Sequence, residues 1–261
     1  VAGNSDINNI MRKFVTILLL PILAGSLVWL GCNQRIVRTK TSGYTLQGAV
    51  VKNLDDSTLF AGAIFNRVDS VLMAATVKIG TTALNYDNGV YVKNYDSLKA
   101  LTAGTYYLKL QDSSRLNDSV QFAVPVDLAI VNIAPDTRIF TSATQEVRID
   151  FLASAGSNGY AYGVVKADSA YQINGYSGFV ISQVNSATIP PDAFRNTAGD
   201  LDTGWYYIYI YAYSGAPAPT SHMPTSFPPG LTANITRLNL NGFWGTVVIS
   251  PRDSMHVTSL Q

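Results

Sequence analysis

Leu201-Asp202-Thr203-Gly204-Trp205-Tyr206-Tyr207-Ile208-Tyr209-Ile210 echoes an earlier stretch, Leu101-Thr102-Ala103-Gly104-Thr105-Tyr106-Tyr107-Leu108-Lys109-Leu110. In each, a glycine turn feeds a run with an aromatic pair near its start. Side chains alternate between the two faces of a strand. Tyr206, Ile208, Ile210 and Ala212 therefore share one face, and Trp205, Tyr207, Tyr209, Tyr211 and Tyr213 share the other. Tyr, Trp and Ile are good strand residues. The chain thus announces the same late strand twice, once in each half.

Outward from these runs the pattern holds. Short apolar segments separated by turn residues cover 44–51, 59–66, 71–79, 89–92, 105–110 and 119–124. A second set covers 128–133, 147–153, 160–167, 178–184, 205–213, 231–238, 242–249 and 255–258. Asp87-Asn88-Gly89 has the residue types of a tight hairpin turn, since Asn and Gly tolerate positive φ. Such spacing points to sandwiches or barrels. The acids agree: Glu146 is the single Glu, and the rest are Asp, a turn residue rather than a helix former. Fifteen Tyr and 20 Gly point the same way. Beyond Cys32 no window of helical length carries an apolar stripe at 3.6 spacing. One cysteine forms no disulfide within the chain, so burial must hold the fold.

The paired echo resembles the late strand of immunoglobulin-like and fibronectin-III-like modules. The fold expected is all-β, two tandem sandwiches at 43–125 and 126–261, parted near Pro125. The Cys–Trp–Cys signature of true immunoglobulin domains is absent, which leaves the strand topology open.

Residues 11–32 read Met11-Arg12-Lys13, then an apolar run to Leu30, then Gly31-Cys32. A basic start, an apolar core and a small residue before a cut site make an export signal. The stretch resembles a bacterial lipoprotein signal. That implies cleavage after 11–31, a lipid on Cys32, and 32–42 as a tether. Trp29 and Leu30 depart from the family pattern, and an uncleaved anchor is the alternative; at about 17 residues the run is short for a span of roughly 20. Residues 1–10 precede the start and are set aside. The implied place is the cell envelope, held by lipid. Asn33 after the cysteine favours the outer membrane or cell surface over the inner membrane.

The 18 Lys+Arg fall to 16 beyond residue 31, once Arg12 and Lys13 are set aside; the 17 Asp+Glu fall to 16 without Asp6. A neutral chain with 13% charged residues lacks the basic face that displaces phosphate counterions, so nucleic acid is not expected.

The aromatic row Trp205, Tyr207, Tyr209, Tyr211 and Tyr213 is the candidate binding face. Flat rings with polar rims suit protein interfaces and sugars. The same rings would serve to pack across strands or against the first sandwich. The loop 214–230, with five prolines, His222 and Phe227, follows the row directly and is the candidate binding loop. Asp200 and Asp202 offer carboxylates suited to calcium, as do Asp55 with Asp56 and Asp112 with Asp118, although Asp is also the default turn residue.

No other metal and no cofactor is expected, since His222 and His256 stand isolated. The sequence holds neither a G-x-S-x-G elbow nor a phosphate loop, so no catalytic residue is assigned. The expectation is a non-catalytic envelope protein that binds or spaces. Its partner would be another envelope protein; alternatives are a carbohydrate-binding module and a structural subunit of a surface assembly.

Overall fold

The computed structural model describes residues 43–67, 70–113, 115–141, 145–167, 175–181 and 185–258. The signal read at 11–31, Cys32 and the tether lie outside the described residues. Among the described residues no helix is long and apolar enough to cross a membrane.

The first half holds β1 (Tyr44–Asn53), β2 (Thr58–Arg67), β3 (Ser70–Val71), β4 (Thr76–Ile79), β5 (Thr82–Ala83), β6 (Asn85–Asp87), β7 (Val90–Tyr95), β8 (Gly104–Asp112) and β9 (Leu116–Val124). In one sheet the order is β1-β2-β7-β6; in the other it is β5-β4-β8-β9. Their inner faces close one core, with Leu46, Leu59 and Phe65 from the first sheet and Val77, Leu108 and Phe122 from the second. Each such side chain stabilises by about 1.5–3 kcal/mol on burial. The expected tight turn is present: Asn88 and Gly89 both take positive φ, and Asp87 pairs with Val90.

The second half holds β10 (Ile130–Ala134), β11 (Ile139–Phe140), β12 (Val147–Phe151), β13 (Gly159–Lys166), β14 (Tyr176–Phe179), β15 (Ser186–Ile189), β16 (Gly204–Gly215), β17 (Ile235–Thr236), β18 (Leu240–Ile249) and β19 (Asp253–Val257). A β10-β12-β15 sheet closes a core with β14, β13, β16 and β19, and β11 runs parallel to β19 at the edge. Both halves therefore show the strand order of immunoglobulin-like sandwiches. The two echoed stretches are β8 and β16, the equivalent late strand in each.

One core runs from Tyr44 to Val124 and takes in Ile235, Leu240 and Trp244, while the other draws its buried residues from Leu128 to Val257. The sheet does not part between them. Strand β18 pairs in parallel with β1 along its whole length, Tyr44 against Leu240 and Asn53 against Ile249. Its second half also pairs with β16, Tyr211 against Ile249. Leu240 and Trp244 fill the first core, Val248 the second, and Val247 and Ile249 a third cluster shared with Ala49, Val51 and Tyr211. The division at 43–125 and 126–261 thus needs one correction: part of the second segment completes the first module.

Close approach demands glycine at two points of this seam. A Cβ on Gly48 would stand 2.3 Å from the Gly62 carbonyl oxygen and 2.7 Å from the Trp244 ring. Gly242 has φ +150°, and a Cβ there would lie 1.8 Å from the Leu46 carbonyl oxygen.

Candidate functional site

The alternation along β16 places the aromatic row on one face, as read, but the face is not open. The proline-rich loop folds back over it and lays Met223 and Phe227 into the shared cluster with Tyr209 and Tyr211. Tyr211 is fully buried, its hydroxyl 2.9 Å from Thr225 Oγ1. Tyr209 is buried and directs its hydroxyl toward Asp55 Oδ2 at 3.4 Å. Tyr213 is half-buried against Phe179 and Phe227. Of the two readings open for the row, packing within the chain accounts for Tyr209, Tyr211 and Tyr213. Alternation names the residues that share a face, while the loop decides whether water reaches them.

Burial carries an electrostatic mark. Loss of solvent pushes the Tyr209 phenol up to about 12, with the Asp55 charge adding to it and Arg252 opposing. Tyr211 is pushed higher still by burial, against the hydrogen bond to Thr225.

At one end of the row the loop stops and the surface opens. Trp205 is 53% exposed. It pairs across strands with His256, which pairs in turn with Ile139 of β11. The indole leans on the His256 ring at 4.8 Å and 30°, and Ile139 is also exposed. One residue pair inward, Tyr207 lies half-buried beneath the Arg252 guanidinium, 4.6 Å from its ring centroid. Arg252 is held by Asp55, which accepts its backbone N–H at 3.1 Å. Arg138 pairs with Asp253 beside the patch. The result is a row in which exposed Trp205 and Ile139 flank a half-buried His256, with a charged rim. Of the five predicted aromatic residues, only Trp205 is freely exposed.

The loop residues divide likewise. Phe227 is buried. His222 is exposed and stacks on Phe60, centroids 3.7 Å apart, at the rim of a cleft of about 440 Å³ floored by Ala49, Gly62, Ile64 and Val92. Desolvation pushes the His222 pKa down, and Asp56 partly offsets this.

Five of the six calcium candidates hold partners within the chain. Asp202 pairs with Lys166 at 2.7 Å. Asp55 holds Arg252, and Asp56 caps its own turn by accepting from Thr58. Asp112 takes the Tyr44 hydroxyl and Arg67, and Asp118 takes Arg237. Asp200 lies exposed in the turn before β16. No group of three or more His, Cys, Asp or Glu able to hold a metal occurs among the described residues.

Sequence reasoning missed the role of the echoed tyrosines. Tyr106 donates to the Thr102 carbonyl at 3.0 Å, and Tyr206 to the Asp202 carbonyl at 2.8 Å. Each bond reaches four residues back, the tyrosine corner of immunoglobulin-like sandwiches. The spacing Thr102-x-x-x-Tyr106, repeated at Asp202-x-x-x-Tyr206, was the available signal.

No protein-family model matches the chain, and no curated protein does. Solved structures similar to it include a cytokine receptor complex, at 12% identity and TM-score 0.27, covering 81% of this chain and 95% of that one. Another is a Ca2+-stabilized adhesin with which an Antarctic bacterium binds ice, at 15% identity and TM-score 0.23, covering 83% of this chain and 49% of that one. A third is the FN1-FN3 fragment of chicken CNTN1, at 12% identity and TM-score 0.24, covering 70% and 61%. The assignment of strand order rests on the pairings described above.

Proposed function

We propose that this chain is a lipid-anchored, non-catalytic protein of a bacterial cell envelope that holds a binding surface away from its anchor. The supporting observation is the lane formed by β18 and β19. It starts beside Tyr44 and ends beside Trp205. From Leu240 to His256 that path covers roughly 50 Å at about 3.3 Å per residue. A strand shared by two cores resists hinging, so the Trp205 end keeps a fixed distance from the first module. The exposed Trp205 and Ile139, with half-buried His256 between them and Arg138 and Asp253 at the rim, suit an envelope protein with its own apolar anchor.

The test has two readouts on the full chain made in a bacterium. Intact mass should show a lipid on Cys32, absent in Cys32→Ser. A photo-crosslinking residue at 139 should capture one envelope protein, and Trp205→Ala should abolish the capture. A cysteine left free removes the anchor from this reading. Capture unchanged by Trp205→Ala removes the binding end.

A further inference from the structure

The face that the loop covers in the second module is open in the first. On β8 the outward residues are Thr105, Tyr107, Lys109 and Gln111, all exposed. By register, Tyr107 stands opposite Gln121, Lys109 opposite Ser119, and Gln111 opposite Asn117 on β9. On the other side Lys78 of β4 stands directly opposite Lys109. A depression of about 290 Å³ opens here, lined by Thr76, Lys78, Lys109, Gln111 and Asn117 among others.

Two features of this face run against stability. Like charges directly opposite on antiparallel strands repel, and neither Lys78 nor Lys109 joins an ion pair among the described residues. Tyr107, 48% exposed, stands beside them on the sheet, whereas its counterpart Tyr207 is covered by Arg252. Paired cations ask for an anion. A flat ring with neighbouring amides asks for a polyhydroxylated surface it can stack on and hydrogen-bond.

We infer that the outer face of β4, β8 and β9 binds an acidic polysaccharide chain. Its carboxylates would lie between Lys78 and Lys109, one sugar ring on Tyr107, and its hydroxyls at Gln111, Asn117 and Gln121. Charge complementarity selects this occupant over a neutral glycan or an apolar peptide. The site is separate from Trp205 and does not depend on the lipid.

The test is affinity electrophoresis and calorimetry of the full chain in mild detergent. The probes are polygalacturonate, dextran as a neutral chain, and sodium sulfate as a free anion. Wild type should bind polygalacturonate, more weakly as salt rises, and should not bind dextran. Lys78→Gln with Lys109→Gln should weaken binding about tenfold or more, and Tyr107→Ala should weaken it while the salt dependence remains. The lysine variant should melt no lower than wild type, because it removes a repulsion, so lost binding cannot be lost folding. Three results would overturn the inference: no binding by wild type, undiminished binding by the lysine variant, or sulfate competing as well as the polymer at equal charge.

Discussion

Asn234 grips the backbone of Trp244 with both ends of its amide, Nδ2 donating to the carbonyl at 2.7 Å and Oδ1 accepting the N–H at 3.0 Å. The indole beyond that backbone packs edge-on to Phe122 at 5.6 Å, deep in the first core. The amide thus fixes the strand at the point where it enters that core. Asn234→Ala should cost about 2 kcal/mol, two hydrogen bonds at roughly 1 kcal/mol each. Asn234→Asp, which keeps the acceptor, should recover part of it. Urea unfolding of the three chains, compared at constant m, decides the matter.

Gly48 should be the least tolerant position of β1. Alanine there would push into the Gly62 carbonyl, which is backbone and cannot swing away, and into Trp244. Overpacking of this kind costs about 1–3 kcal/mol or more. The expected sign is a lower melting temperature with a red shift of tryptophan emission. An unchanged spectrum would mean that the ring is not seated as described.

The two tyrosine corners should differ in weight. Tyr206 is buried in the second core, whereas Tyr106 only borders the first. Tyr206→Phe should cost about 1–2 kcal/mol, with the Asp202 carbonyl left short of a donor. Tyr106→Phe should cost less than about 1 kcal/mol, because water can replace the lost hydroxyl. Equal losses in denaturant titrations would contradict this ranking.

Alkali should unfold the chain through its buried phenols. In the unfolded chain Tyr209 and Tyr162 ionise near 10.0, while burial holds each up to about 12 in the folded one. The folded state therefore keeps protons that the unfolded state gives up. The stabilisation is complete below pH 10 and is lost as pH rises toward 12. Urea midpoints should fall across that interval, and Tyr209→Phe should flatten the fall. Free titration of these phenols near pH 10 in the native state, followed by tyrosinate absorbance, would rule the mechanism out.

Much of the fold was legible because turn residues punctuate it. The runs at 44–51, 59–66, 160–167 and 242–249 fall within or overlap β1, β2, β13 and β18. The strands that went unread, β5, β6, β11 and β15, are two to four residues long and show little periodicity. What covers the Trp205–Tyr213 face was unreadable for a different reason. Tyr209 to Ala212 are all buried, because both faces of β16 are covered, one by sandwich core and one by the loop that follows the strand. Aromatic residues are written in sequence alike whether a loop or a partner covers them. Nor did anything local in 240–249 show that it would lie beside 44–53, since parallel pairing leaves no turn between its partners.

That late pairing also has a consequence in time. Synthesis at roughly 5–20 residues per second delivers β1 long before β18. Until Leu240–Ile249 leaves the ribosome, the nascent first module lacks its tryptophan and shows a bare strand edge, the kind of edge that recruits neighbouring chains. A nearby copy that supplies its own Leu240–Ile249 first would complete the sheet equally well. Strand exchange between newly made chains is thus the characteristic assembly error of this topology, and crowded expression would raise its yield.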